Sequence, residues 1–195
     1  MYLCRVNVKK SIIVSAPSGA GKTTLVRHLL AVMPEKLQFS ISATTRNPRG
    51  NEQNGIDYFF LSTAEFKAKI KQNAFVEYQE VYASCFYGTL KSQLEDIWAL
   101  DKIVVFDVDV KGGMHLKSIF KTQALSIFIA PPSIEELEKR LVSRQTDSLQ
   151  SITARVSKAR HEMAFAKNFD IQITNDELQL ACTQLTDCVQ QFIML

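Results

Sequence analysis

Ser11-Ile12-Ile13-Val14-Ser15, then Ala16-Pro17-Ser18-Gly19-Ala20-Gly21-Lys22-Thr23-Thr24, then the apolar run Leu25 to Met33: this stretch decides the fold. Its first part reads as a short, fully buried strand and its last part as a helix. Strand, glycine-bearing loop, Lys-Thr and helix, in that order, make a phosphate-binding loop. Glycines let successive backbone N–H groups curl round phosphate oxygens with no side chain in the way. The helix that follows turns its positive end to the anion. Lys22 adds a mobile charge for the β and γ phosphates, and the Thr23 hydroxyl suits Mg2+. The loop departs from the strict GxxxxGK[ST] pattern at its first position, where Ala16 replaces glycine. The competing reading, a plain turn with a surface lysine, gives no reason for the strand before and the helix after.

Outward from this loop, apolar strands alternate with helical patterns, which argues an α/β fold on a mostly parallel sheet. Core strands are expected at Ser11–Ser15, Ile103–Val108, Leu125–Ile129 and Ile171–Thr174, all short and apolar as strands covered on both faces should be. Between the first two, residues 38–100 have a different texture. Gln38–Ser42, Tyr58–Leu61 and Phe75–Tyr78 read as strands, separated by the turn signals Asn47-Pro48-Arg49-Gly50-Asn51 and Asn54-Gly55. Ser62-Thr63-Ala64-Glu65 is a capping box opening a helix through Ile70. The block reads as a small mixed lobe inserted into the parallel frame. A second capping box, Ser133 with Glu136, opens a helix to about Ser143; Arg144–Gln150 is a polar excursion; helices follow over about 151–167 and 177–192.

The chain has 195 residues, near the size of one domain. Hydrophobic residues at 46% and charged residues at 22% make an ordinary globular balance, and a net charge of +3 is too small to call for nucleic acid. Cys4, Cys85, Cys182 and Cys188 show no metal spacing and read as free thiols in a reducing compartment. No apolar run approaches the ~20 residues of a membrane span, and the run after the basic start is too short for a signal peptide. A cytoplasmic protein without nucleic-acid or membrane partners is expected, with monomer and homodimer both open.

Several further constellations carry chemistry. Arg46 and Arg49, three apart in a Pro-marked loop, suit a phosphomonoester clamp, or else are two solvated arginines. Glu77 sits among aromatic residues, where an ionised carboxylate needs a partner unless alternation turns it to solvent. A paired acceptor there would recognise two adjacent donors, which guanine offers and adenine does not. In Phe86-Tyr87-Gly88-Thr89, Tyr87 would reach a phosphate and Thr89 a base oxygen, or the ring is core beside a turn. Asp107 ends a buried strand, where α/β sheets place ligands, and resembles an acid that holds Mg2+ directly or through water. Asp109 follows two residues on, and Gly112-Gly113 permit close backbone approach. Arg140 and Arg144, one helical turn apart, and Arg155 suit the charge of a phosphoryl group in transfer; salt bridges to Glu136 or Glu138 are the alternative.

The ordered set resembles the guanylate kinase family. It comprises Ala16-Pro17-Ser18-Gly19-Ala20-Gly21-Lys22, Thr44-Thr45-Arg46-Asn47-Pro48-Arg49, Asn54-Gly55-Ile56-Asp57-Tyr58-Phe59-Phe60, Phe75-Val76-Glu77-Tyr78, Tyr87-Gly88-Thr89, Asp107-Val108-Asp109-Val110 and Ile129-Ala130-Pro131-Pro132-Ser133. The resemblance runs from Lys10 on. It implies a three-layer P-loop NTPase core (1–37, 101–143, 168–195), an inserted α+β GMP-binding lobe (about 38–100) and a helical lid (about 144–167).

It further implies transfer of the γ-phosphoryl of ATP to GMP, or dGMP, with Mg2+. Ser42, Glu77, Thr89 and Asp109 would read guanine, and Arg46, Arg49, Tyr58 and Tyr87 would hold its phosphate. Residues Ala16 to Thr24 would bind ATP, with Asn175 near the adenine. Lys22, Arg46, Arg140, Arg144 and Arg155 would be catalytic, and Thr23 and Asp107 would hold Mg2+, partly through water. Departures from the family pattern are Ala16, Lys111 in place of glutamine, Gln145 in place of a lid glycine, and one extra residue between Glu77 and Tyr87. Two other readings stand beside this one: an inactive guanylate-kinase-like interaction domain, and a P-loop kinase for another nucleotide.

Overall fold

A computed structural model describes residues 9–82, 84–143 and 149–195. The chain divides into two compact units, residues 38–104 and residues 9–37 with 105–195.

A mostly parallel five-stranded sheet has most of its residues in the larger unit. Its strands are β1 (Ser11–Ser15), β2 (Leu37–Phe39), β7 (Ile103–Val108), β8 (Ala124–Ala130) and β9 (Ile171–Thr174), in the order β2-β7-β1-β8-β9. β1 runs parallel to β8, from Ser11 opposite Ala124 to Ser15 opposite Phe128. β8 runs parallel to β9, from Ile127 opposite Ile171 to Ala130 opposite Thr174. Every residue of β1 and β8 is buried, the reason apolar residues dominate both. Helix α4 (Val110–Phe120) packs on β1 and β8, where Val110 meets Phe128 and Ala130. Helices α1 (Lys22–Val32) and α7 (Leu178–Met194) pack on each other, as do α5 (Ile134–Ser143) and α6 (Leu149–Met163).

The smaller unit has a mixed four-stranded sheet in the order β4-β3-β6-β5. These strands are β3 (Ala43–Thr44), β4 (Phe59–Phe60), β5 (Phe75–Tyr82) and β6 (Cys85–Leu90). β3 is parallel to β4 and antiparallel to β6, and β6 is antiparallel to β5. One face of this sheet carries Ala43, Phe59, Phe75, Phe86 and Leu90 against Phe66 and Ile70 of α2 (Thr63–Lys71). Phe66 is fully buried, its ring stacked on Phe75 at 4.3 Å and on Phe86 at 5.4 Å. The capping box forms as expected, with Glu65 N–H donating to Ser62 Oγ (3.2 Å) and Ser62 N–H to Glu65 Oε2 (2.7 Å).

The structure revises several expected elements. The strand expected over Gln38–Ser42 is two short pieces, β2 and β3, because the chain passes from one sheet to the other there. The helix expected from Ser151 to about Lys167 begins at Leu149 and ends at Met163, followed by a 3-10 turn at Ala166–Asn168. At the second capping box Glu136 N–H donates to Ser133 Oγ, while the Glu136 carboxylate faces Lys139 and Arg140. Two helices were not anticipated, α3 (Lys91–Ala99) and α4. Among the described residues no helix is long and apolar enough to cross a membrane.

Replacing Phe66 by Ala removes the ring that α2 inserts into the smaller unit. It should lower the free energy of unfolding by about 3–5 kcal/mol, the usual range for a buried aromatic truncated to Ala. Urea denaturation of the variant beside the wild-type chain measures the difference.

Candidate active site

The loop after β1 keeps the geometry its sequence promises. Gly19 and Gly21 have φ of +98° and +93°, backbone that a side chain rarely adopts. Ala16 is buried at the loop's start and is not among the positive-φ residues, so the position where the pattern has glycine accepts a Cβ here. Ala20 N–H donates to Pro17 O (3.1 Å), closing the turn, and Gly21 opens α1.

Lys22 lies at the first position of α1. Its Nζ sits 2.5 Å from Asp107 Oδ1 and donates to Val108 O at 2.6 Å. Asp107 is therefore beside the loop at the C-terminal end of β7, and Thr23 Oγ1 donates to its second oxygen at 3.4 Å. Arg155, on α6, reaches the same loop, its Nη1 donating to Ser18 Oγ at 3.3 Å. Arg140, on α5, donates from Nη1 to Asn175 O (2.8 Å), with Glu136 Oε1 3.7 Å from its Nε. Arg144 and Gln145 lie outside the described residues. Asn175 is buried, and its Nδ2 donates to Ala20 O (2.8 Å), so the side chain is turned to the loop backbone.

Asp109 has a structural role that its sequence context did not announce. It is the N-cap of α4, Oδ1 accepting from Gly112 N–H at 2.8 Å, and its carbonyl accepts from Ser15 Oγ at 3.2 Å. Also unannounced is Glu162 on α6, a carboxylate that burial pushes above its ordinary range, with Lys158 opposing, Asp109 adding to the rise and Lys22 lowering it.

The smaller unit assembles a second constellation on the sheet face opposite its aromatic core. Side chains alternate along a strand. Phe86 and Leu90 face the core, so Tyr87 and Thr89 face the other way, with Thr44 opposite Tyr87. Glu77 is two residues from Phe75, and simple alternation would send both to the core. A register shift between them breaks the alternation: Phe75 pairs with Leu90, but Glu77 pairs with Thr89. Bulges re-aim side chains in this way. Glu77 Oε1 consequently accepts from Thr89 Oγ1 at 2.8 Å. Gly88 makes room for the bulge, since a Cβ there would stand 2.8 Å from Glu77 O and 2.9 Å from Tyr78 Cβ. A second shift lies between Glu80 and Tyr82, near the hairpin tip.

Arg46 follows β3 on this same side. Its Nε donates to Tyr87 OH (3.2 Å), and its guanidinium lies over the Tyr58 ring at 5.1 Å. Burial raises the Tyr58 phenol's pKa. Ser42, just before β3, holds the sheet through its carbonyl, which accepts from Phe59 N–H. A residue missed in the sequence binds this clamp together. Glu52 takes a two-pronged bond from Arg46 (Nη1 2.8 Å, Nη2 3.0 Å), and its Oε2 also accepts from Arg49 N–H at 2.7 Å. These bonds, Arg46 first, draw the Glu52 carboxyl down to about 2 and raise the Arg46 guanidinium. The available signal was an acid three residues after Arg49, across a Gly-containing turn.

A family model described as Guanylate kinase matches residues 8–192. The chain belongs to the guanylate kinase family. It is 51% identical over 184 residues to the guanylate kinase of Porphyromonas gingivalis, covering 94% of this chain and 98% of that one. To the guanylate kinase of Salinibacter ruber it is 44% identical over 182 residues, covering 93% and 96%. The crystal structure of guanylate kinase from Anaplasma phagocytophilum superposes with a TM-score of 0.71 at 25% identity, covering 93% of this chain and 85% of that one.

The depressed Glu52 pKa sets a pH window. A carboxyl whose folded value lies below its unfolded one stabilises above the unfolded value, near 4.5, and loses that contribution as pH falls toward about 2. The carboxyl carbon of Glu52, followed by NMR, should titrate near pH 2. Glu52→Gln should abolish the wild-type advantage in thermal midpoint above pH 5. A titration near 4.5 contradicts the clamp.

Proposed function

We propose that this chain transfers the γ-phosphoryl group of ATP to GMP, forming ADP and GDP. What carries the proposal is one chain of the guanylate kinase family holding both a phosphate loop with its Lys22–Asp107 pair and an arginine–tyrosine clamp beside a paired Glu77–Thr89. ATP is the donor, bound through residues 16–24, whose backbone N–H groups and Lys22 face its phosphates. Arg46, Arg49, Tyr58 and Tyr87 hold the phosphate of GMP. Glu77, Thr89, Ser42 and Asp109 read guanine, the carboxylates accepting from the N1–H and 2-amino donors that adenine lacks.

The acceptor is already an anionic oxygen, so no strong base is needed; placement and neutralisation of charge do the chemistry. Lys22, Arg140, Arg144 and Arg155 offset the repulsion between two polyanions. The Thr23 hydroxyl and Asp107 carboxylate are adjacent hard oxygen donors. Among the described residues no group of three or more His, Cys, Asp or Glu forms a metal cage. This sparse set suits Mg2+, which keeps waters and takes phosphate oxygens as further ligands. Thr23 and, partly through water, Asp107 would hold the ion, which neutralises charge on the phosphates when bound. The setting is cytoplasmic, with dGMP as a second acceptor.

A coupled assay of ADP formation with GMP, AMP, UMP and CMP tests the assignment; ready turnover of AMP in place of GMP would sink it. Lys22→Ala should lower kcat by about 10²–10³-fold, the usual loss for one group stabilising transition-state charge, with the chain still folded. Glu77→Gln puts an amide donor against guanine donors and should reduce the GMP preference over AMP by about 10–100-fold. Unchanged discrimination would place base reading elsewhere.

A further inference from the structure

We infer that Asn175 is a positioning residue for the phosphate loop, acting on its backbone rather than on the base of the nucleotide. The inference rests on the loop's proposed role as the ATP phosphate cradle and concerns how that cradle keeps its shape.

Asn175 directly follows β9, and its own N–H continues the sheet by donating to Ala130 O at 2.8 Å. The backbone is thus fixed by the sheet before the side chain does anything. The side chain is buried, and Nδ2 donates to Ala20 O at 2.8 Å. A trans peptide sets C=O and N–H in opposite directions, and the described chain has no cis peptide. Fixing the Ala20 carbonyl on Asn175 therefore points the Gly21 N–H away from Asn175. Gly21 stands immediately before Lys22, at the N-terminus of α1, where the loop's donors must converge on an anion.

Gly21 tells the same story from the other side. With φ at +93° the residue is in the left-handed region, and a Cβ built there would collide with Asn175 Nδ2. The amide occupies the space that glycine leaves, so the two residues are fitted to each other. The far side of Asn175 is also in use: its carbonyl accepts from Arg140 Nη1 at 2.8 Å. One residue of the sheet edge thereby touches both the loop peptide and an arginine proposed to serve phosphoryl transfer. A contact to adenine needs none of this arrangement, whereas presenting a fixed Gly21 N–H needs the amide where it is.

The test uses a probe with no base. Wild type, Asn175→Asp and Asn175→Ala are titrated by calorimetry with ATP and with inorganic tripolyphosphate, each with Mg2+. The Asp variant keeps the volume and loses the donor. The expected result is a fall in affinity of about tenfold for both ligands in both variants, the size of one lost buried hydrogen bond. In steady state the ATP KM should rise with the GMP KM unchanged. Loss of ATP affinity with tripolyphosphate unaffected would place Asn175 at the base and overturn the inference. Unchanged affinity for both overturns it too, even if the thermal midpoint drops. Wild type that fails to bind tripolyphosphate at all would instead refute the cradle itself. If neither variant folds, wild-type NMR decides. Tripolyphosphate should shift the Gly21 amide and leave the Asn175 side-chain amide protected from exchange; an Asn175 amide exchanging freely overturns the inference.

Discussion

The Lys22 ammonium is held between the Asp107 carboxylate and the Val108 carbonyl, and the larger unit is arranged to make that possible. A positive charge at the start of α1 is unfavourable next to the helix's own positive end unless a counter-charge is supplied. β7 supplies it by ending in an acid at the level of the loop. Both side chains retain little solvent exposure, so each charge depends on the other and on the geometry that joins them. Parallel order in the sheet matters for this reason. β1 and β8 run in the same direction, which brings the ends of the strands, with their loops and helix starts, to one edge.

In the smaller unit the corresponding constraint is the Arg46–Glu52 fork. Four of the five Arg46 N–H donors have partners: Tyr87 OH, Asn47 O and the two Glu52 oxygens. Glu52 also binds the Arg49 backbone, so the two arginines are fixed relative to each other by an acid that belongs to neither strand nor helix. The Thr44 and Thr45 hydroxyls serve the same end, tying the chain before Arg46 to Phe86 and Ser84.

Much of this was legible in the sequence. Ser11–Ser15, Ile103–Val108 and Ile171–Thr174 are strands with the expected limits, the first two because their buried centres are apolar runs, the third because Ile171 and Ile173 alternate with exposed Gln172 and Thr174. The phosphate loop was legible because its backbone needs glycine where glycine stands. Other features were hidden for physical reasons. Helix α4 carries Gly112 and Gly113 in its first turn, poor helix formers that masked its start, and Asp109 is its cap. Helix α3 has no side-chain cap to announce it. Glu52 sits in a turn whose acids are usually solvated, and its partner is six residues away across a proline. The direction of Asn175 depends on a loop 155 residues earlier in the chain, which no local pattern encodes.

The bulge between Phe75 and Glu77 bears on assembly as well as on the finished site. From Glu77 to Glu80 the β5–β6 hairpin holds a single register, bounded by a shift at each end. A nascent hairpin zipped one residue out of step would exchange its two faces. It would thrust the Glu77 carboxylate in among Phe66, Phe75 and Phe86, where an unpaired charge is strongly disfavoured. A single acid beside an aromatic cluster thus weighs against the neighbouring register and in favour of the one observed.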